Sequence, residues 1–146
     1  MFIRELRKQE LTIYLELLKE LDREMVFSIN EAEQLFEQIK VYPFYKIFVL
    51  EVDKQIAATF TLIICDNFGH GGLKFAIVEN VVVHPSFKRM GIGKQMMDMA
   101  AEIATENNCY KLMLSSNEKR EDAHAFYDAL DFKRHGVSFM MELIKK

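Results

Sequence analysis

The chain has 146 residues, 50% of them hydrophobic and 28% charged, with a formal net charge of −3. That length suits one domain, 1–146, whose core needs neither disulfides nor a structural metal, and the composition excludes disorder as the main state. The acidic balance argues against a nucleic-acid binder, no apolar run approaches the roughly 18 residues of a membrane span, and the charged start MFIRELRKQE holds no secretory core, so a cytoplasmic protein without membrane contact is expected. Cys65 and Cys109 lie at no metal-ligand spacing and suggest no disulfide framework.

In chain order, residues 2–4 read as a short edge strand. Leu11, Tyr14, Leu15, Leu18 and Leu21 then recur at spacings of three and four, the mark of one apolar helix face. A second helix is expected over 31–40. Ser28 and Glu31 have the spacing of a capping box, with Asn30 a competing cap. Pro43 stops that helix. Residues 45–52 and 55–65 are rich in β-branched and aromatic side chains and form a hairpin about Asp53-Lys54. A glycine-rich loop, 67–72, leads to a third long strand, 75–83. Its Val81-Val82-Val83 run has no polar alternation and predicts burial on both faces. Ile92, Met96, Met99, Ala100 and Ile103 mark a helix over 91–107. A strand at 112–114, a helix over 122–130 and closing strands at 132–135 and 137–144 complete the pattern. The whole describes an α/β fold with a mixed, mostly antiparallel central sheet flanked by helices. The apolar ending 137–144 reads as an edge strand, and such edges pair across dimers, which makes a homodimer the hypothesis for assembly.

The richest stretch is Glu79-Asn-Val-Val-Val-His-Pro-Ser-Phe-Lys-Arg-Met-Gly-Ile-Gly-Lys94, where a strand enters a two-glycine loop that opens a helix. Glycines let backbone approach a ligand, and a helix N-terminus offers unpaired N–H groups and the positive end of a dipole. Together they suit a pyrophosphate, with Lys88, Arg89 and Lys94 adding charge. A Walker loop needs Ser or Thr where Gln95 stands and lacks its first glycine here; a dinucleotide fingerprint needs glycine where Met96 stands.

Lys88-Arg-Met-Gly91-Ile-Gly93 resembles the Gln/Arg-x-x-Gly-x-Gly/Ala signature of the GNAT superfamily of acetyl-CoA-dependent N-acetyltransferases, with Lys88 in place of Gln or Arg. Downstream, Asn117 and Ala-x-x-Phe-Tyr-like residues through Phe132 resemble that superfamily's Asn…Ala-x-x-Phe-Tyr-x-x-x-Gly-Phe block, with Asp131 in place of the glycine. The resemblance implies a GNAT-like fold, acetyl-CoA as co-substrate, no metal, and direct transfer to an amine. It places the pantetheine arm along Val81, Val82 and Val83, and the pyrophosphate on the N–H groups of Lys88, Arg89, Met90, Gly91, Ile92, Gly93 and Lys94. Asn117 and Phe126 join the cofactor contacts, and Tyr127 is placed near the thioester sulfur as proton donor to the leaving thiolate.

An alkylammonium with a pKa of ~10.4 leaves about one molecule in 10³ neutral at pH 7, so the reaction asks for a base. Glu79, two residues before Val81, is the candidate, and a strand N–H near Val81 is the donor for the oxyanion. The wording Val78-Glu-Asn-Val-Val resembles the Ile-Glu-Asp-hydrophobic-Val of glucosamine-6-phosphate acetyltransferases. Acceptor-binding candidates are Glu24, Phe27, Tyr42 and Tyr45, with core packing the competing reading of the aromatics. A small-molecule amine is the expected partner, a protein or peptide amine the second class. A non-catalytic acetyl-CoA sensor of the same fold is the rival.

Overall fold

The computed structural model describes residues 1–144, which divide into two compact units, Met1–Leu114 and a second that starts at Ser115. The first unit holds a five-stranded sheet in the order β1-β2-β3-β4-β5. The strands are β1 Phe2–Glu5, β2 Tyr45–Val52, β3 Gln55–Cys65, β4 Lys74–Val83 and β5 Cys109–Met113. The first four pair antiparallel and β5 runs parallel to β4. Three helical segments longer than one turn accompany them: α1 Leu11–Leu18, α2 Ile29–Ile39 and α4 Ile92–Glu106. A single helical turn, α3 Gly69–Gly72, sits in the glycine-rich loop.

Local chemistry accounts for the element ends. Asp53 and Lys54 both take positive φ (47° and 65°), the conformation whose twist suits a two-residue hairpin turn. Ser28 caps α2: its hydroxyl accepts from Glu31 N at 3.1 Å and donates to Glu31 Oε1 at 2.8 Å. Asn30 lies inside that helix, so the competing cap falls away. α1 is shorter than its apolar stripe, and Leu21 beyond it is exposed.

The sheet is covered on both faces. Leu6, Leu11, Tyr14, Leu15, Ala32 and Val49 form one buried cluster, with Phe27, Phe36, Ile47 and Ile56 packed against it. Alternation along β2 and β3 sends Phe48, Leu50, Phe60 and Leu62 to the other face, and all four are buried. Ile92, Met96, Met97, Ala100 and Ala104 are the buried stripe of α4, the helix that packs on β3, β4 and β5. Each fully buried large apolar side chain contributes about 1.5–3 kcal/mol. Arg4 ties the sheet edge together, bonding Glu10 at 2.6 Å and Glu51 at 2.9 Å.

The second unit is built around α5 Glu121–Ala129. The expected closing strands at 132–135 and 137–144 are not formed: residues 131–144 carry no strand. Val137, Phe139, Met140, Met141, Leu143 and Ile144 are all largely exposed. Apolar content suits a strand, but a strand also needs a partner for its N–H and C=O groups, and among the described residues these have no strand partner. Among the described residues no helix is long and apolar enough to cross a membrane.

Candidate functional site

The sheet is interrupted where β4 leaves β5. Their parallel pairing runs from Lys74 and Cys109 to Ile77 and Met113, so from Val78 to Val83 that side of β4 has no strand partner among the described residues. On its other side β4 stays paired with β3, but the register slips. Thr61 stands opposite Glu79 and Thr59 opposite Val82, so two steps on β3 match three on β4. The extra residue is a β-bulge, and Asn80, at φ 52°, supplies the turn of backbone that it needs. Asparagine tolerates that conformation better than most residues.

This geometry corrects one expectation. The valine run is not buried on both faces: Val82 is buried, while Val81 and Val83 are half-buried beside the open edge. Glu79 is exposed. A free strand edge with N–H and C=O groups to offer is what an extended, amide-bearing ligand requires.

Beyond Val83 a short turn, Pro85–Phe87, leads to α4. The His84 ring caps that turn, its Nδ1 accepting from Ser86 N at 3.1 Å, and packs edge-on against Phe87. Gly91, at φ 75° and ψ 10°, is the left-handed residue before α4, and a Cβ built there meets nothing within 4 Å. The first α4 bond runs from Gln95 N to Gly91 O at 3.2 Å, so the N–H groups of Ile92, Gly93 and Lys94 precede the helical ladder. Three N–H groups free of the helical ladder at a helix start are the arrangement that suits a phosphate. Lys88 and Arg89 stand exposed nearby in sequence, while Lys94 is turned to Asp98 at 2.6 Å.

On the α1 side of the sheet, tyrosines gather near Glu79. Tyr45 is half-buried, and burial raises its phenol, with the Glu79 charge adding to the rise. Tyr42 meets the Tyr45 ring edge-on at 5.6 Å. Tyr14, from α1, is pushed up to about 12 by burial. Its hydroxyl faces Thr61, an interaction that works against the rise. Full hydrogen-bond geometry is not met, and Thr61 Oγ1 is left without a partner among the described residues. Such an orphaned buried hydroxyl costs about 1–3 kcal/mol.

In the second unit, Asn117 opens the turn before α5. Its Oδ1 accepts from Lys119 N at 2.9 Å, and its carbonyl accepts from Arg120 N at 3.0 Å. A ring nitrogen of His124 lies 2.8 Å from the same carbonyl, so this half-buried histidine serves the turn. Tyr127 packs edge-on between Phe126 and Phe132, and burial raises its phenol above the ordinary value.

The acetyltransferase (GNAT) family model matches residues 11–132. The chain belongs to that family. It is 30% identical over 142 residues to a glucosamine 6-phosphate N-acetyltransferase of Trypanosoma brucei brucei, covering 97% of this chain and 95% of that one. A solved chain from Agrobacterium tumefaciens str. C58 superposes with a TM-score of 0.92 at 29% identity, covering 97% of this chain and 99% of that chain. The glucosamine-6-phosphate N-acetyltransferase of Arabidopsis thaliana gives a TM-score of 0.87 at 24% identity, with 98% of each chain covered, and shows the shared fold. The protein is thus a GNAT N-acetyltransferase, and the family in general uses acetyl-CoA as co-substrate.

Within this GNAT fold the first unit brings together Glu79, the valine edge, the Gly91 turn, Tyr45 and Tyr42. It does not gather all the acceptor candidates. Phe27 packs into the α1–α2 cluster as a core residue. Glu24 is exposed on the turn between those helices, its N–H bonded to Asp22 Oδ1 at 3.1 Å. His70 is stacked on Tyr110 at 3.9 Å. Sequence reasoning missed Tyr14 and Thr61. Tyr14 counted only as part of an apolar stripe, and Thr61 only as a good strand former. The signal was a hydroxyl residue amid the apolar run Ala58-Thr-Phe-Thr-Leu-Ile-Ile64.

Proposed function

We propose that this chain moves the acetyl group of acetyl-CoA directly to the primary amine of a small amino sugar, with a phosphorylated amino sugar the first acceptor to test. The observation that carries the reading is the bulged, one-sided edge of β4, which runs from exposed Glu79 toward the open N-terminus of α4. The Trypanosoma relative, matched along nearly its whole length, supports the acceptor class.

Bound acetyl-CoA supplies the activated acyl carbon. The N–H and C=O groups of Val81, Val82 and Val83 hold the pantetheine arm, and the loop from Lys88 to Lys94 holds the pyrophosphate. Asn117 and Phe126 belong to the cofactor side by their place in the family block. Glu79 takes one proton from the acceptor ammonium, freeing the nitrogen lone pair. The C–N bond forms, a backbone N–H at the bulge stabilises the oxyanion, and the C–S bond breaks. Tyr127, kept protonated by its raised pKa, donates to the departing thiolate, and the second nitrogen proton replaces the one it gave. Tyr42 and Tyr45 cover the acceptor. The chain 1–146 is one N-acetyltransferase domain in the cytoplasm, and the exposed apolar residues at 137–144 pair in a homodimer; a monomer by light scattering rejects that pairing.

The test is release of CoA thiol from acetyl-CoA with glucosamine 6-phosphate, glucosamine and a peptide with a free α-amine. Turnover fastest with an amino sugar supports the reading. Preference for the peptide transfers the enzyme to the protein-amine class. Selective acetyl-CoA binding without turnover on any amine makes the chain a sensor and overturns the reading.

A further inference from the structure

Two threonines stand fully buried on β3, two residues apart and on one face. Thr59 is engaged, its hydroxyl donating to the Phe48 carbonyl at 2.7 Å. Thr61 Oγ1 has no hydrogen-bond partner among the described residues. Valine would fill the same space without an orphaned hydroxyl, and native chains rarely leave a buried polar atom unsatisfied without a reason.

The register supplies one. Thr61 lies between Ile47 of β2 and Glu79 of β4. Directly opposed cross-strand residues share a face and have Cβ atoms about 4.5–5.5 Å apart, within reach of a glutamate side chain. No ion pair or side-chain hydrogen bond among the described residues fixes the Glu79 carboxylate. The groups facing this corner are Tyr45 from β2, beside Glu79, with Tyr42 against its ring, and Tyr14 from α1, against Thr61. None of them is a cation. A buried donor without an acceptor thus stands one strand away from a carboxylate without a donor.

We propose that Thr61 is a positioning residue for Glu79: backed by Tyr14, its hydroxyl donates to the Glu79 carboxylate when that side chain turns onto the sheet face to meet the acceptor amine. The bond keeps the carboxylate ionised and fixes which oxygen faces the ammonium. This deepens the proposed function and rests on Glu79 being the base.

The experiment is the pH dependence of kcat/KM for acetyl transfer to glucosamine 6-phosphate, or to the fastest amine of the panel above. It compares the wild type with Thr61→Val, Thr61→Ser, Tyr14→Phe and Glu79→Gln. A donated hydrogen bond favours the carboxylate, so its loss raises the pKa of the base. Thr61→Val should move the acid limb upward by about one pH unit and lower kcat several-fold, with KM for acetyl-CoA unchanged. Its melting temperature should stay near that of the wild type, because loss of the orphaned Thr61 hydroxyl is offset by loss of the polar group that the buried Tyr14 phenol faces. Thr61→Ser should restore both limb and rate, and Tyr14→Phe should shift the limb in the same direction by less. A folded Thr61→Val protein with the wild-type limb and rate overturns the proposal. If Thr61→Val fails to fold, Tyr14→Phe decides by the same limb. Loss of the acid limb in Glu79→Gln with no shift in Thr61→Val removes Thr61 alone. A limb unmoved in Glu79→Gln removes the base and this inference with it.

Discussion

Gly91→Ala separates the cost of backbone strain from the cost to the ligand site. The residue sits at φ 75° before α4, and its added Cβ would meet nothing within 4 Å. There is no clash to relieve, so the folded state suffers only the left-handed conformation, about 1–2 kcal/mol for an L side chain. The smaller conformational freedom of unfolded alanine returns about 0.4–1 kcal/mol. The net loss is at most about 1.5 kcal/mol, which lowers the melting temperature by no more than about 6 °C. The ligand effect is larger. In the proposed site a methyl group is added at the turn that leads into the N–H groups of Ile92, Gly93 and Lys94, where a phosphate oxygen would have to come to about 2.9 Å. Losing one charge-assisted bond costs about 1.5–3 kcal/mol, or roughly 10- to 150-fold in Kd. Calorimetric titration with acetyl-CoA, with ATP and NAD as controls, and thermal melts of the same samples read the two effects separately. Wild-type acetyl-CoA affinity in folded Gly91→Ala protein would refute the placement of the pyrophosphate at this turn.

Other perturbations test the chemistry and the scaffold. Glu79→Gln should cut turnover about 10²-fold at neutral pH and recover as pH rises toward the ~10.4 of a free amine, where solvent does the work of the base. An unchanged pH–rate profile removes Glu79 from the reaction. Tyr127→Phe should slow transfer about tenfold with acetyl-CoA affinity nearly constant, since the phenol's raised pKa keeps it a donor across neutral pH; equal kcat values dismiss it. Glu10→Gln should destabilise the first unit by about 1–2 kcal/mol at pH 7, because Arg4 holds that carboxylate below its ordinary range. A lowered folded pKa gives stability above the ordinary carboxylate range that is lost as pH falls through the folded value. The gap between the wild-type and variant melting curves should therefore close in acid, and a gap constant from pH 7 to pH 3 contradicts the assignment.

Much of this was legible in the sequence because it is local. Ser28 and Glu31 declare a cap by spacing, Asp53-Lys54 a turn, and Gly91 the break before a helix. The bulge at Asn80 was not legible. One extra residue shifts the phase of a period-2 pattern, but the Val81-Val82-Val83 run has no polar member to report that shift. The residues at 137–144 failed for the opposite reason: their apolar content is clear, but pairing is a long-range fact that composition does not encode. Phe27 and Tyr42 looked alike as aromatics near the first two helices. Only packing separates the one held in the core from the one exposed beside Tyr45.

The bulge is where the separate features join. An uninterrupted β4 keeps Thr61 opposite Glu79 and would put Val81, not Val82, opposite Thr59. The extra residue moves Val82 into the buried position and releases the backbone around Asn80 and Val81 from strict pairing. Because β5 has ended its pairing at Met113, the released backbone faces an open edge rather than a neighbouring strand. Its unpaired N–H and C=O groups would be a liability on an ordinary sheet edge, open to pairing with any strand. Here the same groups lie between a carboxylate and a helix N-terminus. A ligand with amide groups at one end and phosphates at the other satisfies both at once. Under the proposed function Asn80 would thus carry a functional load although its side chain need touch nothing. Its φ of 52° excludes β-branched residues at little cost to asparagine or glycine. Asn80→Gly should keep the bulge and the activity, and Asn80→Val should lose activity with the phosphate loop intact. A fully active Asn80→Val enzyme would show that the strand reaches its working geometry without the bulge.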